Sequence, residues 1–255
     1  MRVSAVSYLN TWPLVWGFLH GPGEGLFEFQ FDLPSRCADA LGAGEVDVGL
    51  VPCAELDRLG IDFLPDLGIA CEGAVRSILL VSKVPFADIQ TLAVDDGSRT
   101  SVALARILLA GRYSCEPEFR TRAPRIEQML AECDAALIIG DPALHLEPGK
   151  LTWRTLDLGA EWMAWTGLPM VFAVWAGRRE VLSDSVAKAF AASYQWGRER
   201  TGEIVERAVA ERGFPAELAR EYLTRHIVYE LSGRHLEGLS LFRRLARELA
   251  PASIV

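Results

Sequence analysis

The sequence predicts an α/β fold of two lobes, with a ligand cleft between them and a helical C-terminal region. Three observations lead there. Strand-like and helix-like segments alternate through the first two-thirds of the chain. Two proline-punctuated stretches read as crossings between lobes, and after Gly177 the strand signal fades.

Residues 2–7 alternate and read as the first strand. A helix follows, with Asn10 or Thr11 as its cap and Pro13 in its first turn. Ser35 caps a short helix ending near Gly42 and Gly44, and residues 46–51 form the next strand. Further strands are predicted at 77–82, 91–95, 135–139 and 170–176, and helices at 100–110, 125–132 and 160–166. Beyond Gly177 three helical patterns cover about 183–208, 215–225 and 234–248. In the last, Leu241, Leu245 and Leu249 make an apolar face, while Arg243, Arg244 and Arg247 read as a solvated one. Gly238 weakens that helix locally.

The first crossing is placed at 82–88, around Pro85, and the second at 166–169, around Pro169. Residues 88–169 then form an inserted lobe, and 1–87 with 170–255 form the other. This is the layout of the type II periplasmic-binding-protein superfold, whose ligands sit in the cleft between lobes.

Composition narrows the function. Of 255 residues, 50% are apolar and 24% charged, as in a soluble globular protein. The net charge of −8 opposes a broad nucleic-acid footprint but leaves room for a small anion, which needs only a few local donors. The N-terminus lacks a charged region followed by a long apolar stretch, and no run of about 18 apolar residues follows, so neither a secretion signal nor a membrane span is read. The expected location is the cytoplasm. Five widely spaced cysteines without a CxxC read as reduced core residues, and four scattered histidines give no metal site.

Polar residues collect at the carboxyl ends of predicted strands. In Ser7-Tyr8-Leu9-Asn10, Asn10 either caps the next helix or turns its amide into the cleft. In Asp95-Asp96-Gly97-Ser98-Arg99-Thr100-Ser101, a turn opens a helix whose free N–H groups suit a carboxylate. There Ser98 either caps the helix or joins Thr100 and Ser101 as a hydroxyl donor, with Arg99 adding charge. In Gly140-Asp141-Pro142-Ala143, Asp141 reads as an N-cap and His145 as a packing or surface residue. Arg76 and Ser77 enter a strand beside the first crossing, with Arg76 either solvated or facing the cleft. Trp162, Trp165 and Trp175 read as core. No GxSxG, HExxH, GxGxxG or Walker motif occurs. From these residues alone the reading is a two-lobed binder of a small anion.

Five ordered stretches carry a resemblance. They are Ser7-Tyr8-Leu9-Asn10-Thr11-Trp12-Pro13-Leu14, Asp47-Val48-Gly49-Leu50-Val51-Pro52, Ser98-Arg99-Thr100-Ser101, Ile139-Gly140-Asp141-Pro142-Ala143-Leu144 and Glu161-Trp162-Met163-Ala164-Trp165-Thr166-Gly167-Leu168-Pro169. Together they resemble the chorismate dehydratases of the futalosine route to menaquinone, from residue 1 to about 177. The resemblance implies a cytoplasmic hydro-lyase that converts chorismate to 3-[(1-carboxyvinyl)oxy]benzoate without metal or organic cofactor. It places Asn10 and Ser77 beside the reacting carbons. Ser98, Thr100 and Ser101 are expected to hold one carboxylate, with Ser7, Tyr8, Arg76, Arg99 and Gly140 as further binding residues. The proton acceptor is expected to be Asp141, if it faces inward, or the substrate's own enolpyruvyl carboxylate. The rival readings are the sister enzyme, 1,4-dihydroxy-6-naphthoate synthase, a non-catalytic solute binder and a ligand-sensing regulatory domain.

Overall fold

The computed structural model describes residues 1–95, 97 and 99–249. Strand β1 (Arg2–Val6) runs through the Leu9–Thr11 turn into helix α1 (Trp12–His20), whose first turn holds Pro13. Then come β2 (Glu28–Asp32), α2 (Pro34–Gly42), β3 (Val48–Pro52), α3 (Leu56–Leu59) and β4 (Asp62–Cys71). The middle of the chain holds β5 (Ile78–Ser82), β6 (Thr91–Val94), α4 (Arg99–Tyr113), β7 (Glu118–Thr121), α5 (Ile126–Glu132), β8 (Ala135–Ile139), α6 (Gly140–Leu144), β9 (Arg154–Asp157) and α7 (Leu158–Thr166). The remainder is β10 (Met170–Gly177), α8 (Asp184–Glu199), α9 (Thr201–Arg212), α10 (Ala216–Glu221), β11 (Val228–Glu230) and α11 (Gly233–Glu248).

These strands form two sheets, one to a lobe. The first has the order β11-β4-β10-β3-β1-β2 and the second β7-β6-β8-β5-β9. Strand β5 pairs antiparallel with β8 and β9, so it belongs to the second lobe. The first crossing therefore lies at 72–77, before β5, and not at 82–88. Pro85 punctuates a turn between β5 and β6 inside that lobe, and a proline turn reads alike in both settings. The chain returns to the first sheet between α7 and β10. Helix α7 stops at a left-handed Gly167, and β10 pairs with β3 and β4 of the first sheet.

Five strands escape the sequence pattern. β2 is a mostly exposed edge strand, β7 and β9 are four-residue edges, and β4 carries Pro65 and Gly68, both poor strand formers. The three-residue β11 is held by its pairing with β4 rather than by its own propensity. The helical pattern over 183–208 breaks at Arg200 into α8 and α9. Leu33, not Ser35, is the N-cap of α2, because Pro34 already supplies the first helical position.

Packing explains the sequence features that looked costly. A Cβ on Gly238 would lie 2.0 Å from the Pro169 carbonyl oxygen, so α11 touches the second crossing only where it has no side chain. Trp162 is fully buried beside the same crossing, donates its indole N–H to the Pro169 carbonyl at 3.2 Å and meets Phe242 edge-on. Arg243 and Arg247 are not merely solvated: both pair with Asp57 at the start of α3. All five cysteines are buried and unpaired. Among the described residues no helix is long and apolar enough to cross a membrane.

Candidate functional site

A cleft lies between the two sheets, with about 560 Å³ of unfilled space when its open mouth is included. The first lobe lines it with Val6, Tyr8, Asn10, Thr11, Leu50, Pro52, Ile69 and Phe172, and the second with Ser77, Ile78, Arg99, Thr100, Ser101, Ile139 and Gly140. The walls are mainly apolar, with a few polar groups converging between them. That is the make-up of a small-molecule site.

The structure brings Tyr8, Asn10, Ser77, Arg99, Thr100, Ser101 and Gly140 to this one place. Asn10 sits in the turn between β1 and α1 and makes no cap bond to the helix, whose N-cap position is Thr11. Ser77 is 2% exposed at the entry to β5. Gly140 takes a left-handed φ of 62°, and a Cβ there would stand 2.7 Å from the Tyr8 ring. Glycine thus lets the tyrosine ring of one lobe approach the backbone of the other closely. Burial, with the Asp95 and Asp141 carboxylates nearby, pushes the Tyr8 hydroxyl well above an ordinary phenol, so it remains a neutral donor.

Other candidates are occupied differently. Arg99 turns its guanidinium across to the first lobe, donating to Glu55 at 2.7 Å and to Asp39 at 3.0 Å. The Thr100 hydroxyl accepts from the Ala54 N–H at 3.2 Å and donates to the Phe172 carbonyl at 3.1 Å. Both side chains tie one lobe to the other, which leaves Ser101 as the hydroxyl of this stretch that lines the cleft without such a tie. Ser98 lies outside the described residues.

Arg76, Ser7 and Asp141 do not line the cleft. Arg76, at a left-handed φ of 67°, binds the carbonyls that end α6, at Ala143, Leu144 and Leu146. Asp157 accepts the Val75 and Arg76 N–H groups at 3.0 and 2.7 Å, so the first crossing is buckled to the second lobe. Ser7 offers its carbonyl to Arg212 at 2.7 Å and faces a neighbouring groove with Trp12 and Trp16. Asp141 is not the N-cap of α6, a position held by Ile139. Its carboxylate accepts from the Leu9 N–H and pairs with Arg212. His145 stacks on Phe214 with ring centroids 4.5 Å apart, a packing role.

Two residues of the site escape sequence reading. Tyr222 places its hydroxyl 2.9 Å from Ser77 Oγ, and Arg212 neutralises Asp141. Both come from the C-terminal helical stretch, where nothing in spacing or composition distinguishes them from their neighbours. The Glu161–Pro169 stretch, in turn, is a scaffold. Glu161 accepts from Tyr113 at 2.7 Å and pairs with Arg112, which fastens α7 to α4.

The profile of a family described as menaquinone biosynthesis matches residues 1–248. The chain is 31% identical to a chorismate dehydratase of Thermus thermophilus, with 92% of this chain and 91% of that one covered. A solved structure from Archaeoglobus fulgidus superposes with a TM-score of 0.78 at 21% identity, covering 97% of this chain and 96% of that one. A Candida albicans protein described as having the generic periplasmic-binding-protein fold gives 0.71 at 14% identity, covering 99% and 91%. These two likenesses establish the fold, two lobes about a cleft. The match along nearly the whole sequence establishes more: the chain belongs to the menaquinone-biosynthesis family.

Proposed function

We propose that this protein is a cytoplasmic carbon–oxygen lyase that removes water from chorismate to give 3-[(1-carboxyvinyl)oxy]benzoate. The observation that carries the reading is the meeting of Asn10 and Ser77, from opposite lobes, in one mainly apolar cleft of a chain of this family.

The chemistry asks little of a cofactor. The ring carbon bearing the enolpyruvyl ether loses its proton, the C–H electron pair forms a new ring double bond, and the neighbouring hydroxyl departs with a proton as water. The product ring is aromatic, so the step runs downhill. The ring carboxylate is conjugated with the carbon being deprotonated, and donors on it stabilise the charge that spreads there. Ser101 and the first-turn N–H groups of α4 suit that carboxylate, with Tyr8 as a further neutral donor. Asn10 and Ser77 flank the reacting carbons, and the Ser77 hydroxyl donates to the leaving oxygen.

With Asp141 held by Leu9 and Arg212 outside the cleft lining, the proton acceptor in this reading is the substrate's enolpyruvyl carboxylate. The protein then works mainly by holding chorismate in the reactive shape and excluding water.

The test is a time course of metal-stripped protein with chorismate, followed by absorbance and mass. Loss of one water to give the enolpyruvyl benzoate is the expected result. Chorismate that disappears no faster than its background decay would overturn the reading and bring forward the sister synthase or a pure binding role.

A further inference from the structure

Tyr222 opens a π-turn, Tyr222–His226, between α10 and β11. Such turns are rare and concentrate at functional sites. The residue is 1% exposed, and its hydroxyl donates to Ser77 Oγ at 2.9 Å. The Asn10 side chain lies close enough to the same hydroxyl to lower its pKa against the larger effect of burial. One phenol from the C-terminal region is therefore fastened to Ser77 and lies beside Asn10, the two polar residues that face the cleft from opposite lobes, although it does not line the cleft itself.

The protons along this chain run one way. Burial keeps the phenol neutral, and its single proton is given to Ser77. Ser77 Oγ accepts there and has no other hydrogen-bond partner among the described residues, so its own proton is left for whatever occupies the cleft. A donor that is itself hydrogen-bonded in a buried chain is polarised and donates more strongly.

We infer that Tyr222 is a positioning residue for the dehydration, fixing the Ser77 hydroxyl so that its proton points at the departing ring oxygen. The inference rests on the chorismate reading above. No net proton leaves Tyr222 or Ser77: the proton taken from the ring carbon is the one that departs with the hydroxyl as water.

The experiment is a double-mutant cycle of Tyr222→Phe and Ser77→Ala, with chorismate as substrate and thermal melts alongside. Tyr222→Phe removes one oxygen and keeps the ring packing. It should lower kcat by about 10- to 100-fold, with KM changed no more than about twofold. In the Ser77→Ala background it should cost less than about twofold more, because the residue acts only through Ser77. Effects that multiply in the double variant, or a rise in KM with kcat unchanged, would overturn the inference while leaving the wild-type reaction standing. A wild type that leaves chorismate intact would remove both readings. If Tyr222→Phe does not melt cooperatively, 3-fluorotyrosine at position 222 keeps the hydroxyl and the shape. It should change kcat at least about twofold with Ser77 present and not with Ser77→Ala. Equal changes in both backgrounds would again overturn the inference.

Discussion

The Asp141 carboxylate, carried by the inserted lobe, accepts the main-chain N–H of Leu9 in the first lobe at 3.0 Å. Arg212, from α9, completes the latch by pairing with the same carboxylate while donating to the Ser7 carbonyl. With one carboxylate oxygen on the Leu9 N–H and the other on Arg212, and with Asp141 absent from the cleft lining, the side chain serves as a tie between the lobes.

Asp141→Asn keeps an oxygen for the Leu9 N–H but removes the charge facing Arg212. Turnover of chorismate should stay within about tenfold of wild type. Stability should fall by about 1–3 kcal/mol, seen as a melting point lower by about 3–10 °C. A loss of several orders of magnitude in kcat, with the melt intact, would instead make Asp141 the base.

Arg99 offers a second latch on the opposite side of the cleft, joining α4 to Asp39 and Glu55. Its guanidinium is partly exposed, so the pair is worth about 0.2–1 kcal/mol. Arg99→Met should therefore raise KM for chorismate by about 2- to 5-fold and leave kcat nearly unchanged. The free protein should show a larger radius of gyration in solution scattering. An unchanged KM together with an unchanged scattering profile would mean that the pair does not govern closure.

His235 sets an acid limit on stability. Its Nδ1 accepts the Ser232 N–H at 3.1 Å in a capping box at the start of α11, so the ring must be unprotonated there. Burial lowers its folded pKa, opposed by Glu72 and assisted by Arg234. A group depressed in the folded state contributes its full stability above its unfolded value, about 6.5 for histidine, and loses it as the pH falls through the lower folded value. The melting point should thus decline below about pH 6.5. His235→Gln, which retains a capping side chain without a titrating ring, should flatten that part of the decline. A variant whose decline matches wild type would assign the effect elsewhere.

Much of the fold was legible because strong periodicity leaves few choices. The strands β3, β5, β8 and β10 are almost wholly apolar and β1 alternates, so these five stand out in the sequence. The edge strands did not, since their residues are exposed and only a neighbour's backbone makes them strands. The first crossing was misplaced because Pro85 marks a turn equally well within a lobe or between lobes. What decides the matter is the pairing of β5 with β8 and β9, contacts between residues 53 to 78 positions apart, as in Ser82 with Ala135 and Leu79 with Asp157.

The sequence by itself determined the two-lobed α/β class and the family to which the chain belongs, while leaving Asn10 open between helix cap and cleft. Local pattern suffices there, because apolar strands alternating with helical segments and ordered motifs are read along the chain without knowing its contacts. Only the tertiary structure decided what each polar side chain does. It turned Arg76, Arg99, Thr100 and Asp141 into ties within and between lobes, and it brought Tyr222 to Ser77 across 145 residues of chain. A hydrogen-bonding group can be spent on protein or on ligand with the same chemistry. The choice rests on which partner the folded chain places within about 3 Å, and no local pattern records that distance.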